Sequence, residues 1–366
     1  MGRLRVLLIG LAIGLVASLS HSLAANYSKP GALLLECERS RHPTQAATTR
    51  CPSQFGILLS APPNSATTTL SGTKDSRPAT TGPFPLVVMI HCLSGVGMTY
   101  APWGAHLASY GFVVIAANYD TGLTDAPDAG ISLTDRVPIW LLYARPTNVV
   151  RVIEFADALT APDGKLAGVI DTSQIGVWGP LDRRKHRAPG SRSADQLQGT
   201  RRRCAANPTE QYGESCPFVG HERPLATLYG SADPFAGPLP PIWDNRVKAL
   251  ALAAPGGAQH VFGDAGIAAV TVPTLIMVGS ADATVKPAIE ALWSYEAISS
   301  QEKSLAVFEG GGHSLFLRYT DPKFVEAESL TTAFFLSTLK GDATGSAALR
   351  ADAVSFPDLR YSTTLQ

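Results

Sequence analysis

The sequence has little charge and few aromatic side chains for its length. Of its 366 residues, 16% are charged and 8% are aromatic, whereas 45% are hydrophobic. Lys plus Arg and Asp plus Glu each total 30, so the formal net charge is zero. This balance gives no electrostatic reason to expect binding to nucleic acid or to an anionic membrane. The apolar share also excludes a disordered, collagen-like or coiled-coil protein.

Long apolar runs are scarce, and the clearest one is close to the N-terminus. Arg3 and Arg5 precede an apolar run over residues 6–19, and Ser22-Leu23-Ala24 has the small-x-small spacing of a cleavage site. About 14 apolar residues are too few to cross the hydrocarbon core of a bilayer. We therefore expect residues 1–24 to be a cleaved export signal rather than a membrane anchor, and the mature protein to be exported without stable membrane insertion.

Cysteine is rare, with five residues in the chain. In an exported protein, the short separations favour Cys37 with Cys51 and Cys204 with Cys216 as candidate disulfides, which leaves Cys92 over. Other pairings stay open, because spacing alone does not fix connectivity. None of the spacings is C-x-x-C, so we expect no structural zinc site.

From residue 83 onward, short apolar runs alternate with helix-like stretches. This alternation predicts an α/β fold with a mostly parallel sheet and helices on both faces. The candidate strands are residues 86–90, 112–117, 175–178, 247–254, 274–278 and 304–308, and the candidate crossover helices are residues 99–110, 136–159 and 283–298. We place the domain at residues 83–340, after an N-terminal extension of loops or edge strands at 25–82 and before a C-terminal tail at 341–366.

A basic segment over residues 180–203 interrupts this alternation. Its 24 residues include eight Lys or Arg, two Asp and only four apolar residues, without helical periodicity. Nucleic-acid binding is one interpretation of such a segment. No aromatic side chains are interleaved for stacking on bases, so we favour a solvated basic loop and expect no nucleic-acid partner.

Three turns after predicted strands have residues suited to catalysis. His-Cys-Leu-Ser-Gly follows the first candidate strand at residues 91–95, Asp282 ends a Gly-Ser-Ala-Asp turn, and His313 ends a Glu-Gly-Gly-Gly-His turn. Ligands of open α/β sheets bind at the carboxyl ends of the strands. The separation of 31 residues between Asp282 and His313 leaves room for one helix and one strand. We therefore expect the two side chains to be adjacent, with the acid orienting the imidazole for proton transfer.

Plainer interpretations exist for each of these residues. Asp282 could cap the helix predicted to follow it, and His313 could be a surface histidine in a glycine-rich loop. Residues 230–233 repeat the Gly-Ser-Ala-Asp motif, but Pro234 prevents a helix from following, so we interpret that copy as a turn. His91 ends its own strand, and we interpret it as structural rather than as a base.

Four runs in this sequence resemble α/β-hydrolases, specifically the exported bacterial dienelactone hydrolase and platelet-activating-factor acetylhydrolase-like esterases. The runs are FPLVVMIH at 84–91, GFVVIAA at 111–117, IGVWG at 175–179 and VPTLI at 272–276, together with Asp282 and His313. The resemblance implies an α/β-hydrolase fold and a carboxylic ester hydrolase with a serine nucleophile. It also implies a small-molecule ester substrate and no metal or organic cofactor.

The resemblance also assigns roles to residues. The nucleophile would be at position 181, His313 would accept its proton, and Asp282 would hold the tautomer of the imidazole. The backbone N–H groups of Leu93 and Asp182 would form the oxyanion hole.

The nucleophile itself is missing from the sequence. In this family the strand ending at Trp178 continues into a G-x-S-x-G nucleophile elbow. Here the chain reads Gly179-Pro-Leu-Asp-Arg, so Leu181 is at the serine position and Arg183 replaces the second glycine. An alkyl side chain cannot form an acyl-enzyme, so we expect little or no esterase activity from this chain.

Two compensating single-base slips in the coding sequence would explain both the missing serine and the basic segment. If residues 180–184 are encoded CCA-CTC-GAC-CGG-CGG, the loss of one C changes the product to His-Ser-Thr-Gly-Gly and restores the elbow. The displaced frame can continue as an alanine-rich stretch that favours a packed helix, until a second slip near Arg203 returns the original frame. The alternative is a non-catalytic binding protein with the α/β-hydrolase fold.

Overall fold

The computed structural model describes residues 33–38, 55–60, 82–92, 97–117, 145–179, 243–256 and 266–365. These residues form a nine-stranded sheet with helices on both faces. The strands are β1 Leu33–Glu38, β2 Phe55–Ser60, β3 Phe84–Met89, β4 Val113–Ala117, β5 Ile170–Gly179, β6 Val247–Ala253, β7 Thr274–Gly279, β8 Lys303–Phe308 and β9 Leu359–Thr363. The α-helices are α1 Ala101–Ser109, α2 Arg145–Thr160, α3 Trp293–Ala297, α4 Pro322–Lys340 and α5 Ala343–Ala348.

The strand order across the described sheet is β1-β2-β4-β3-β5-β6-β7-β8-β9. The strands from β4 to β8 in this order pair in parallel, whereas β2 is antiparallel to β4 and β9 is antiparallel to β8. After β3 the chain first adds β4 on one side and then β5 on the other. The carboxyl ends of β3 and β5 therefore meet at the point where the strand order reverses, which is where open α/β sheets bind ligands.

Two apolar cores lie on opposite faces of the sheet. Leu86 and Val88 of β3 face the core formed with α2 and α3, while Val87 and Met89 face the core formed with α1 and α4. This alternation follows from the two-residue period of a strand. Because both faces are covered, the parallel strands are continuous apolar runs, and that is the feature that made them predictable from sequence.

The six predicted strands are all present, although their ends differ by up to five residues. Two further strands lie in the segment predicted as an extension of loops or edge strands. Of these, β1 is at the edge of the described sheet, whereas β2 lies between β1 and β4 and is an interior strand. The prediction of edge strands or loops was therefore wrong for β2, because the surrounding Pro, Ser and Thr residues obscured one short apolar run.

The sheet also continues beyond the predicted domain end at residue 340. Helix α5 and strand β9 lie in the segment interpreted as a C-terminal tail, and β9 pairs with the full length of β8 from Ser304 to Phe308. Alternate residues of β9 are exposed, which is typical of an edge strand with one solvated face. Its composition is too polar to stand out as a buried strand.

Helix α4 was not predicted, although its ends are clear in the sequence. The Asp321 carboxylate accepts the Lys323 N–H at 3.0 Å, Pro322 occupies the first turn, and Gly341 ends the helix with φ of 62°. The helix packs closely on β5, since a Cβ added at Gly176 would lie 2.6 Å from Cε1 of Phe335. In the part of the chain that the structure describes, no helix has both the length and the apolarity to cross a bilayer.

The helix predicted over residues 283–298 begins later than expected. A π-helical turn over Ala288–Leu292 leads into α3, and residues 283–287 form turns. Pro287 explains the delay, because the residue before a proline disfavours the helical conformation. The other predicted crossover helices correspond to α1, preceded by a 3₁₀ turn at Gly97–Tyr100, and to α2, which is described from Arg145 onward.

Part of the predicted organisation falls outside the described residues. The export signal at 1–24, the basic segment at 180–203 and the repeated motif at 230–233 all lie there. Cys37 is in β1, but its candidate partner Cys51 lies outside, as do both members of the Cys204–Cys216 pair. Both pairings stay predictions.

Candidate active site

An acid and a base meet at the carboxyl ends of β7 and β8. Nδ1 of His313 lies 2.9 Å from Oδ2 of Asp282. The Asp282 side chain is fully buried, whereas the imidazole is 46% exposed. A carboxylate oxygen only accepts hydrogen bonds, so the proton of this contact is on Nδ1 of the imidazole. The two residues are adjacent, as their spacing in the sequence led us to expect.

The second carboxylate oxygen of Asp282 is also occupied. Oδ1 accepts the backbone N–H groups of Thr284 at 2.9 Å and Val285 at 2.8 Å. The plainer interpretation of Asp282 as a capping residue is therefore correct in part, because the carboxylate satisfies the turn that precedes the helical residues. With one oxygen held by the backbone and the other by the imidazole, the carboxylate has a single orientation.

The turns that present Asp282 and His313 are in direct backbone contact. A Cβ at Gly279 would lie 2.1 Å from the carbonyl oxygen of Gly311, so no larger residue fits at this crossing. The close approach allows Ser280 N–H to bond Phe308 O and Ala281 N–H to bond Gly311 O, both at 2.9 Å. Glycines at the ends of both strands thus allow the acid and the base to share one rigid support.

Side chains connect the same two turns. The Ser280 hydroxyl oxygen accepts the Gly310 N–H at 2.9 Å. The Arg360 guanidinium of β9 donates to the Glu309 carboxylate. Hydrogen bonds from Arg360, and to a smaller extent from Ser280, lower the pKa of the Glu309 carboxyl below its usual range. The backbone N–H of Glu309 also donates to Asp358 O at 2.7 Å, which ties this turn to the segment before β9.

The end of β5, where the elbow should start, lies against the end of β3. Gly179 has φ of 152°, and a Cβ there would lie 2.5 Å from the carbonyl oxygen of Ile90. Ile90 N–H donates to Trp178 O at 2.9 Å, so the two strands stay paired up to this point. Only glycine fits at position 179. Leu181, together with Leu93 and Asp182 of the predicted oxyanion hole, lies outside the described residues.

The first residues after β3 have structural contacts. His91 is 1% exposed, and its Nδ1 donates to the carbonyl oxygen of Cys92 at 2.8 Å. A buried ring bonded to the adjacent backbone fits our interpretation of His91 as a structural residue. Cys92 retains its thiol at a partly buried position.

Tyr319 is a residue of this region that sequence reasoning missed. Its hydroxyl donates to Thr99 O, and its ring packs edge-on against Phe324 with centroids 5.1 Å apart. Burial, with a smaller contribution from the charge of the nearby Cys92, raises the pKa of the Tyr319 hydroxyl. Tyr319 therefore joins the loop after His313 to the chain after β3. It borders a shallow depression lined by residues 317–322.

An aromatic cluster lies beneath the site. Trp178 is fully buried, and its ring lies 4.5 Å from that of Trp103 and 5.0 Å from that of Tyr100, measured between centroids. The Trp103 indole N–H donates to Phe316 O at 3.0 Å, in the 3₁₀ turn that follows His313. Helix α1 thereby supports the loop of the base from below. Among the described residues, no three His, Cys, Asp or Glu side chains come together as a group that could hold a metal ion.

The strand order, the antiparallel second strand and the positions of Asp282 and His313 after β7 and β8 define the class of this protein. It has the α/β-hydrolase fold, in which an acid and a histidine follow a nucleophile in chain order. Residues 54–121 match the family described as platelet-activating factor acetylhydrolase, isoform II. The matched stretch contains β2, β3, α1 and β4 and ends well before the acid and the base. Comparison with curated proteins gives no match.

Proposed function

We propose that this chain has the scaffold of a serine-type carboxylic ester hydrolase, which transfers an acyl group to water. The observation that carries the proposal is the hydrogen bond between buried Asp282 and half-exposed His313 at the carboxyl edge of the sheet. The acetylhydrolase match supports an ester as the substrate. The relationship to dienelactone hydrolases and the identity of the ester belong to the same proposal.

The proposed mechanism needs a hydroxyl at position 181. Its oxygen would form a bond to the ester carbonyl carbon while Nε2 of His313 accepts its proton. Breaking the ester C–O bond would release the alcohol, which takes the proton from the imidazolium. Water would then attack the acyl-enzyme with the same base, giving the acid and restoring the hydroxyl. Asp282 would hold Nδ1 throughout, and backbone N–H groups of Leu93 and residue 182 would face the developing oxyanion.

We further propose that the chain as written is inactive, because Leu181 has no hydroxyl to take part in the first step. A simple Leu181→Ser replacement would not be enough, since Arg183 occupies the position where the elbow needs glycine. The coding slip over residues 180–203 is part of this proposal. It accounts for the lost serine and for the basic charge of that segment together.

The experiment compares three proteins in p-nitrophenyl acetate hydrolysis and fluorophosphonate labelling. They are the chain as written, a frame-corrected chain with residues 180–203 replaced by the shifted translation, and the frame-corrected chain with its elbow serine changed to alanine. We expect hydrolysis and labelling in the frame-corrected chain alone. A labelled, burst-forming chain as written would contradict the inactivity, and an inert frame-corrected chain would contradict the proposed hydrolase.

A non-catalytic binding protein is the second candidate function. It is favoured by one observation, that Leu181 removes the nucleophile while Asp282 and His313 stay hydrogen-bonded. Resequencing the gene across codons 176–206 distinguishes the two candidates. A restored serine codon supports the hydrolase, and an unchanged sequence supports the binding protein.

We also propose that the protein is exported through residues 1–24. The support is the basic start, the short apolar run and the Ser22-Leu23-Ala24 site. N-terminal sequencing of the protein recovered from its producing cells should begin at Ala25. Recovery of a chain that starts at residue 1 would contradict export by cleavage.

A further inference from the structure

Besides the dyad itself, one side chain bridges the turn of the acid and the turn of the base. Ser280 lies two residues before Asp282, and its hydroxyl oxygen accepts the N–H of Gly310, three residues before His313. The backbone N–H of the same serine donates to Phe308 O at 2.9 Å. Ser280 is in the turn that presents Asp282, and it therefore contacts both the strand and the turn that present His313.

The hydroxyl of Ser280 has a defined direction. Its oxygen accepts from Gly310, which leaves its proton able to donate, and the interaction with Ser280 is one of the causes that lower the pKa of the neighbouring Glu309 carboxyl. The Arg360 guanidinium of β9 donates to an oxygen of the same Glu309 carboxylate. The result is a chain of contacts from Arg360 through Glu309 and Ser280 to the Gly310 backbone.

The Glu309–Arg360 pair is too exposed to stabilise the fold strongly. The Arg360 and Glu309 side chains are 65% and 42% exposed, and exposed ion pairs contribute little to stability. A weak ion pair can still select one orientation for the hydroxyl beside it. The contacts of Ser280 are therefore better explained as fixing the geometry of the two turns than as stabilising the fold.

We propose that Ser280 is a positioning residue that holds Asp282 and His313 in register, with Glu309 and Arg360 orienting its hydroxyl. The proposal rests on the proposed function only in giving the dyad a catalytic purpose. Its structural content is that the hydrogen bond from His313 Nδ1 to Asp282 depends on Ser280. That content can be tested on the chain as written, without any activity.

The test measures the tautomer of neutral His313 by long-range ¹H–¹⁵N NMR on the full chain, with His313→Gln identifying its signals. A hydrogen bond from Nδ1–H to a carboxylate favours the Nδ1–H tautomer. In the parent we expect this tautomer to dominate. In Ser280→Ala we expect the ratio of the Nδ1–H tautomer to the Nε2–H tautomer to fall at least about threefold. This change is smaller than the one expected for complete loss of a charge-assisted hydrogen bond.

Three further variants separate positioning from general damage and calibrate the measurement. Ser280→Thr keeps the hydroxyl and should retain the parent ratio. Ser314→Ala is the matched control, since Ser314 is adjacent to His313 and its hydroxyl accepts from Arg318 within the same loop, 3.2 Å away. It should leave the ratio unchanged. Asp282→Ala gives the reference for complete loss of the acceptor.

An unchanged ratio in folded Ser280→Ala would overturn the proposal, and so would an equal fall in Ser314→Ala. If circular dichroism shows that Ser280→Ala is unfolded, the test uses Glu309→Ala instead, which changes the exposed residue beside the Ser280 hydroxyl. We then expect a smaller fall in the same tautomer ratio, and an unchanged ratio would overturn the proposal. Failure of the proposed hydrolase would appear separately, as an inert frame-corrected chain with a normal tautomer ratio.

Discussion

At the scale of single residues, the site depends on positions where a side chain has no room. Gly279 and Gly311 bring two strand ends into backbone contact, and Gly179 does the same between β5 and β3. At Gly279 and Gly179 the constraint is the approach of another backbone, which has little freedom to move aside. These glycines, rather than the polar residues alone, determine how closely Asp282 and His313 can lie.

Gly279→Ala should separate the turns of the acid and the base. The added Cβ would be 2.1 Å from Gly311 O, and this clash can be relieved only by moving one of the turns. We expect the free energy of unfolding to fall by about 1–3 kcal/mol, as for other overpacked sites. Gly312→Ala is the matched control, because a Cβ there meets nothing within 4 Å. Equal denaturation midpoints for parent and Gly279→Ala would refute the steric argument.

Single residues also show what the sequence could and could not predict at the site. Asp282 and His313 were predictable because each follows a buried strand by a few residues, which is a local pattern. Tyr319 was not, because its contact with Thr99 joins positions 220 residues apart. The catalytic roles of Asp282 and His313 stay predictions, as do those assigned to positions 93, 181 and 182.

At the scale of elements, α4 organises the face of the sheet opposite α2 and α3. It contributes Phe334 and Phe335, both fully buried, and packs against α1 as well as against the central strands. The helix escaped prediction because its buried side includes Thr331 and Thr332, which weaken the apolar period. Those hydroxyls donate to carbonyl oxygens one turn back at 2.8 and 2.9 Å, so their burial is compensated.

Phe335→Ala should measure how much this helix contributes. The ring fills the space over Gly176, where a Cβ would lie 2.6 Å from it, and the cavity left behind cannot be closed by the strand. We expect a loss of about 3–5 kcal/mol in the free energy of unfolding by urea. Val325→Ala, at a partly buried position on the same helix, should cost clearly less. A similar loss for both variants would argue against tight packing at Gly176.

A buried acid on α4 should make stability depend on pH. Glu328 faces His106 of α1 across 3.6 Å, and burial raises the pKa of its carboxyl to about 8. Between the ordinary value of 4.5 and about 8, the folded chain keeps a proton that the unfolded chain has lost. Stability contributed by this group is therefore fully present below pH 4.5 and declines as the pH rises through this window.

Glu328→Gln removes the titrating proton at nearly constant shape. Its melting temperature relative to the parent should rise from pH 5 to pH 8, because only the parent bears the growing cost of ionising a buried carboxyl. Glu302→Gln, which changes an exposed carboxylate in the turn before β8, is the control for the substitution itself, and an equal trend in this variant would contradict the role of burial. A Glu328→Gln difference that is constant or falls with pH would contradict the direction.

At the scale of the whole molecule, the sheet was easier to predict than its edges. The parallel strands contain continuous apolar runs, whereas β9 is half polar and β1 and β2 lie before the alternation of strands and helices that begins at residue 83. Edge elements obtain their stability from a neighbour distant in sequence, so a local pattern identifies them poorly. The overall class depended on the interior strands and was correct.

Connection handedness indicates what should follow β5. Crossovers between parallel strands are right-handed, so the direction of each step across the sheet decides which face its helix covers. Helices α2 and α3 lie on one face, whereas α1 lies on the other, because the connection from β3 to β4 steps across the sheet in the opposite direction. The step from β5 to β6 has the same direction as the steps through α2 and α3. In the frame-corrected chain, a helix after β5 would therefore lie on their face, over residues such as Val177 and Leu250.

The frame-corrected chain should consequently melt at a higher temperature than the chain as written. An alanine-rich helix after β5 would bury apolar area on that face, and each Å² of buried apolar area contributes about 25 cal/mol to stability. The basic segment has only four apolar residues among its 24, so it cannot bury as much apolar area. We expect a difference of several degrees by calorimetry. The frame-corrected chain with its elbow serine changed to alanine should melt like the frame-corrected chain, since the gain comes from the helix and not from the nucleophile. Equal melting of all three would mean that the written segment packs as well as the helix, and the coding slip would lose its structural support.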